Sequence, residues 1–299
     1  MRLNTAALRP RPPALVLLLA ALASPAAGAA AGAAAAAPMP AVPGFADLAE
    51  LTLAAPVALV AQIDRAERLD PRVTGPLPAG MARWLVRARV ESALLAPGPL
   101  PAVVAYLWDG PARPRPVLRQ ARVLLFAAPV AGAPEQLRLV HRRAQLPWSP
   151  DAEAMVRALV AESRDPALAG RRPTGVLSAF SVAGAVPGES ETQIFLRTQG
   201  GEPVSLVVLR RPGEAPRWSV AFGDAIDEAA RPPAPGTLAR HFLACGLPAA
   251  LPPTATAELA PADARRAAQD YAAVRADLGG CGVTLDQDAS STATASQSG

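Results

Sequence analysis

Proline and glycine set the first limit on what this chain can build. They supply 34 and 22 of its 299 residues, about 19% where average usage is roughly 12%. Proline removes a backbone donor and clashes with the preceding helical turn, and glycine loses more backbone entropy on folding than any other residue. Long-helix and coiled-coil architectures are therefore excluded, and short elements joined by turns are required. With 51% hydrophobic and 18% charged residues, the chain is too apolar for general disorder and has ample material for one or two cores. All 29 basic residues are Arg and Asn4 is the only Asn, which reflects a GC-rich coding bias.

The first 37 residues have the layout of a secretory signal. Arg2, Arg9 and Arg11 precede the apolar run 14–23, and small residues rich in Ala-x-Ala follow. Cleavage is expected between Ala27 and Ala37, giving a periplasmic or secreted product. A retained membrane anchor is the other reading of this segment, but its second half is only Ala and Gly. No Cys lies near the cut to carry lipid. Beyond Ala37 no apolar stretch approaches the ~18–20 residues that span a bilayer, so no stable membrane insertion is expected after cleavage. Removing three of the 29 Arg leaves 26 against 25 Asp+Glu. Three of the formal +4 charges thus belong to the signal, and the mature charge of about +1 does not point to nucleic acid.

An α+β, β-rich fold follows from the patterning. Residues 44–148 read as a β domain with strands near Ala54–Ala66, Ala82–Leu94, Ala102–Trp108, Ala121–Ala128 and Gln136–Arg143. In the second, Arg83, Leu85, Arg87 and Arg89 alternate with Trp84, Val86, Ala88 and Val90, so one face is core and the other solvent. Five antiparallel strands suit a small closed barrel of the OB type or a small sandwich. Residues 149–173 form a helix and linker: Ser149 caps, Pro150 occupies the first turn, and Asp151 and Glu153 suit its positive end. Residues 174–285 then give an antiparallel β-meander near 176–183, 192–198, 203–210 and 217–222, with turns at 199–202 and 211–214, followed by helices. Leu238, His241, Phe242 and Cys245 share one helical face, and Ala264, Ala267, Tyr271, Val274 and Leu278 stripe a later helix that Gly279 and Gly280 end. Residues 286–299 read as a disordered tail.

Only two cysteines occur, Cys245 and Cys281. Export would carry them to a disulfide-permissive compartment, and a structural disulfide closing a loop of about 37 residues would contribute about 3–4 kcal/mol. A free thiol, a Cys–His nucleophile and a zinc site are the other readings. His241 and Cys245 are four apart on one helix and Cys281 can join them, but a structural zinc needs a fourth ligand and His141 lies in the other β region. The 35 residues between the cysteines argue against a Cys-x-x-Cys oxidoreductase. Gly-x-Ser-x-Gly, Ser-x-x-Lys, His-Glu-x-x-His and the phosphate-cradling Gly-x-x-x-x-Gly-Lys are absent. His141, between Val140 and Arg142-Arg143 at a strand end, reads as solvent-exposed. Glu189, Glu191, Asp224, Asp227 and Glu228 are the carboxylates that an acid/base pair would draw on, although turn and helix-start roles suit them better. Tyr106 and Trp108 share a strand face, but Trp84 lies opposite Arg83, Arg87 and Arg89, so stacking and charge do not converge as single-strand binding needs.

Segments 45–57, 121–130, 145–150, 187–196, 204–213 and 243–248 carry a resemblance to a group of exported proteins from GC-rich alphaproteobacteria. It spans most of the chain from Phe45 to Cys281 and implies the domain layout, with no activity, cofactor or catalytic residue to carry over. The sequence therefore leads to an exported, non-catalytic protein that binds a protein or envelope partner, without metal or cofactor. The competing expectation is an extracytoplasmic hydrolase using carboxylates or His241.

Overall fold

A computed structural model describes residues 43–113, 116, 118–222 and 231–286, all within one compact unit, Val42–Gly299. Residues 1–42, which include the expected export signal, Asp224, Asp227, Glu228 and residues 287–299 lie outside the described residues.

The first β region is a closed barrel. Its strands β1 (Val57–Arg68), β2 (Met81–Leu95), β3 (Val103–Pro111), β4 (Arg122–Val130) and β5 (Ala133–Leu139) pair in the order β1-β2-β3-β5-β4, and β4 returns to β1. The OB-type barrel is thus formed, rather than the sandwich. One detail departs from the all-antiparallel expectation: β3 meets β5 in parallel, at Ala105↔Gln136 and Tyr106↔Leu137. Closing five strands in this order brings β5 back beside β3 in the same direction. A short strand β6 (Gln145–Pro147), which the sequence reading had not separated, extends β4 on its outer side. The alternation in β2 works as expected: Trp84, Val86 and Ala88 fill the barrel with Tyr106, Leu137 and Ile63, while the arginines face outward.

Strands β1 and β4 do not alternate, because both their faces are covered. Val57, Leu59, Ala61 and Ile63 point into the barrel with Val123, Leu125 and Ala127. Ala58, Val60, Leu124 and Phe126 pack outward against helices α1 (Phe45–Ala54) and α3 (Pro150–Ser163). Helix α1 corrects the purely β reading of residues 44–148. Its N-cap, Gly44, offers no side chain to the free amides, so the usual start signal is missing; burial of Leu48, Ala49 and Leu51 holds it instead. A four-residue turn of helix, α2 (Pro71–Thr74), lies between β1 and β2, capped by Asp70. Helix α3 starts as its sequence predicts, with Ser149 Oγ accepting from the Ala152 amide at 3.2 Å.

The second sheet is the expected meander: β7 (Pro173–Ala183), β8 (Ser190–Thr198), β9 (Val204–Arg210) and β10 (Arg217–Phe222), in the order β10-β9-β8-β7. One face packs on α4 (Leu238–Gly246) and α5 (Pro261–Leu278) through Ile194, Leu206, Val208, Tyr271 and Val274. The Tyr271 hydroxyl donates to the Pro248 carbonyl, and burial pushes its pKa up to about 12. Within this core sits Asp270, fully buried, accepting from Arg210 Nε and from Thr192 Oγ1, each at 2.5 Å. Thr192 is joined in turn to Ser181 at 2.9 Å, so three strands and α5 meet in one polar network. Helix α4 approaches β7 so closely that a Cβ on Gly246 would strike the Pro173 carbonyl.

Residues 281–286 run back from α5 to the barrel side as a strap. The buried Asp47 carboxylate of α1 accepts from both the amide and the hydroxyl of Thr284 at 2.7 Å. Arg143 donates to the Thr284 carbonyl, and Leu285 enters the core around α1 and α3. Asp286, assigned by sequence to the tail, forms a turn and meets His141 Nε2 at 3.1 Å.

Arg210→Met leaves the Asp270 carboxylate buried without its cation. The expected loss is about 3 kcal/mol, at the low end for an uncompensated buried charge because Arg210 keeps partial solvent access. Arg210→Met with Asp270→Leu should recover most of it. Urea unfolding followed by circular dichroism reads both; equal losses in the single and double variants would show that Asp270 is not held this way.

Candidate functional site

Two places on this fold gather functional side chains. The larger is a groove of about 900 Å³ on the outer face of β2, β3 and β5. It exists because β3 and β5 share only two residue pairs before they part, which leaves the outer edge of β3 from Leu107 to Pro111 without a strand neighbour among the described residues. Such an edge offers free backbone donors and acceptors. The floor is apolar, formed by Leu85, Val103 and Leu107, with Val130 at one side. Leu107 is 49% exposed, although neighbouring core leucines are buried. The walls are mainly basic, with Arg87, Arg138 and Arg142 in the lining beside a single free-standing acid, Glu135, all exposed. Arg83, by contrast, is held: its Nε and Nη2 donate to Asp109 at 2.6 and 2.7 Å. Tyr106 and Trp84 point into the barrel and are only 2% exposed, and Trp108, half-buried, packs against the same interior. Burial raises the Tyr106 pKa well above its ordinary value, and its hydroxyl donates to Gln145.

The second place is where α1, α4 and β7 converge. The His241 ring is buried, and its Nε2 donates to Glu50 Oε1 at 2.7 Å. Arg172 Nη2 donates to the same oxygen at 2.7 Å. Phe45 meets the His241 ring edge-on at 6.1 Å. The His241 hydrogen bond, aided by Arg172 and opposed by burial, holds the Glu50 carboxyl below its ordinary 4.5. Cys245 Sγ lies beside the ring, 3.6 Å from the other nitrogen, Nδ1, and 3.8 Å from Nε2. Cys245 is bonded to Cys281, S–S 2.12 Å, across a separation of 36 residues. One donor atom from each of Glu50, His241 and Cys245 falls within a 4.8 Å cluster, the only such grouping among the described residues. While the sulfur is in a disulfide it offers no thiolate to a metal, so in this form the cluster is a clasp: His241, Glu50 and Arg172 tie three elements together beside the bond that anchors the strap.

The remaining sequence candidates are scattered. Glu189 closes the turn before β8 and packs against Gly184, and Glu191 lies on the exposed face of β8. Neither approaches His241, which works with Glu50, a residue 191 positions away. His141 is half-buried at the rim of the groove and bonded to Asp286, so it is less solvent-exposed than its Arg-flanked context predicts. Glu50, Arg172, Asp47 and Asp270 were not legible as site or core residues, since each sits among ordinary polar positions and gains its partner only through chain return. No protein-family model and no curated protein matches the chain.

Titration of the native protein with a thiol reagent should find no reactive thiol until reductant is added, and Cys245→Ala with Cys281→Ala should lower unfolding free energy by about 3–4 kcal/mol. For Glu50 the folded-state pKa is depressed, so its stabilisation is present above pH 4.5 and fades as pH falls through 4.5 toward the folded value. Glu50→Gln should therefore be less stable than the parent at neutral pH and converge with it in acid. Denaturation midpoints on either side of pH 4.5 measure this; a gap independent of pH would mean the carboxylate charge is not what matters.

Proposed function

We propose that this chain is an exported, non-catalytic binding protein that holds an extended, acidic segment of a partner protein in the groove of its barrel. The observation that carries the reading is the combination of an unpaired β3 edge with Arg87, Arg138 and Arg142 over an apolar floor. An added strand would satisfy the edge, alternate side chains would reach Leu107 and Val103, and acidic groups would meet the arginines. The OB-type barrel commonly binds its ligands on the β2–β3 face. Nucleic acid is disfavoured because that face carries no aromatic among the described residues: Trp84 and Tyr106 are inside and Trp108 packs on the same interior, whereas stacking is what single-strand binding requires. Export is supported by the disulfide, and no helix among the described residues is long and apolar enough to cross a membrane. The resemblance to exported alphaproteobacterial proteins agrees with this placement.

A hydrolase built on His241 has one observation in its favour, the Glu50–His241–Cys245 alignment. Against it, the ring is buried and its sulfur neighbour is consumed in a disulfide.

The test uses a fluorescent peptide of alternating Glu and Leu and measures anisotropy with the full chain. Binding should fall at least about 10-fold in Arg87→Glu/Arg138→Glu and weaken with salt, as rim and wall charges do. An all-Ser peptide should not bind. Equal affinity for the acidic peptide in parent and variant would remove the groove as its site.

A further inference from the structure

The cluster around the cystine has a second use that its oxidised form conceals. Three features stand together. His241 Nε2 is committed to Glu50, and Cys245 Sγ lies beside the same ring, 3.6 Å from Nδ1 and 3.8 Å from Nε2. Glu50 keeps its own charge partner, Arg172, at 2.7 Å. Cys281 lies between Gly280 and Gly282, in the strap that follows α5.

We propose that reduction of the Cys245–Cys281 bond by a dithiol opens a zinc site made of the two thiolates and His241 Nδ1, with a fourth position for water. Two electrons pass from the dithiol to the disulfide: the reductant becomes a disulfide, and Cys245 and Cys281 become thiols. Binding of Zn²⁺ then releases both thiol protons, since zinc takes thiolate sulfur and neutral imidazole. The residues present suit this ligand set. At tetrahedral angles, Zn–N of about 2.0–2.1 Å and Zn–S of about 2.3 Å place a nitrogen and a sulfur ligand about 3.6 Å apart. Cys245 Sγ is already 3.6 Å from Nδ1, but it is also 3.8 Å from Nε2, so once freed from the disulfide it must turn about its Cα–Cβ bond into line with the Nδ1 lone pair. The two sulfurs must part from 2.12 Å to about 3.8 Å by the same zinc–sulfur length. The strap supplies that movement, because glycine flanks Cys281 on both sides. Glu50 stays on Nε2 and orients the ring, the usual outer partner of a zinc-bound histidine. Arg172 donates to both oxygens of the carboxylate, which fits an orienting role better than direct ligation.

Sequence alone lacked a fourth protein ligand and so disfavoured a structural zinc site. A two-cysteine, one-histidine set with an open position needs none. The oxidised and reduced states would then be alternatives: a disulfide clasp without metal, or a zinc clasp holding the same strap.

Cobalt(II) is the probe. The full chain is reduced with a phosphine, exchanged free of it without air, and titrated with Co²⁺. One equivalent should bind, with a thiolate-to-cobalt charge-transfer band and tetrahedral visible bands that Zn²⁺ abolishes; the unreduced chain should show neither. Glu50→Gln should bind the same one equivalent about 10- to 100-fold more weakly, as loss of an outer partner does. His241→Asn should lose the tetrahedral visible bands. Any of the following overturns the proposal: no cobalt bands after reduction, the same bands without reduction, unchanged spectrum and affinity in His241→Asn, or loss of near-ultraviolet circular dichroism on reduction that metal does not restore.

Discussion

Strand β1 is buried on both of its faces, and the rest of the structure depends on that. Its inward residues, from Val57 to Ile63, close the barrel with β2 and β4, while Ala58 and Val60 receive helices α1 and α3. Apolar residues on both sides let the strand be covered twice. The same core also admits Leu238 and Phe242 of α4 and Leu285 of the strap. Elements separated by more than 200 residues thus share one apolar cluster, and the barrel and the second sheet are parts of a single compact unit.

Polar contacts within that arrangement are few and specific. Asp47, Asp270 and His241 are buried, and each is matched: to Thr284, to Arg210 and Thr192, and to Glu50. Burying such groups is tolerated only when hydrogen bonds replace water, so each match also fixes a geometry. Asp47 sets where the strap lies. Asp270 sets the rotation of α5 on its sheet. His241 sets the position of α4 against α1, and it brings the cystine beside a carboxylate–imidazole pair. Around α3 a more exposed set does similar work: Arg122 lies 3.5 Å over the Trp148 ring, and Glu153 accepts from Trp148 and Arg157. The Trp148 hydrogen bond, with Arg157, lowers the Glu153 pKa.

Much of this was legible from local chemistry. The two-residue alternation around Trp84 identified which face of β2 is core, and Ser149-Pro150 marked the start of α3. The turns at 199–202 and 211–214 separated the strands of the meander. Helix α1 escaped because Gly44 gives no cap and because so short an apolar-rich segment, running on toward the apolar start of β1, leaves helix and strand periods hard to tell apart. Glu50 escaped for a different reason. A glutamate four residues from the end of an amphipathic segment is unremarkable until His241 arrives from the other end of the chain.

By itself, the sequence determined the class of this protein: short elements forced by proline and glycine, strand faces set by alternation, helix limits set by caps, and two cysteines available to each other. These are local properties, governed by backbone sterics and the partition of side chains between water and core. Only the tertiary structure decided the parallel meeting of β3 and β5, and with it the groove, since barrel closure depends on the return path of the chain rather than on any one strand's residues. It also decided that His241 faces both Glu50 and Cys245. That juxtaposition joins α1 to α4 across 191 positions, a distance over which no spacing rule operates and only packing can bring a carboxylate to an imidazole.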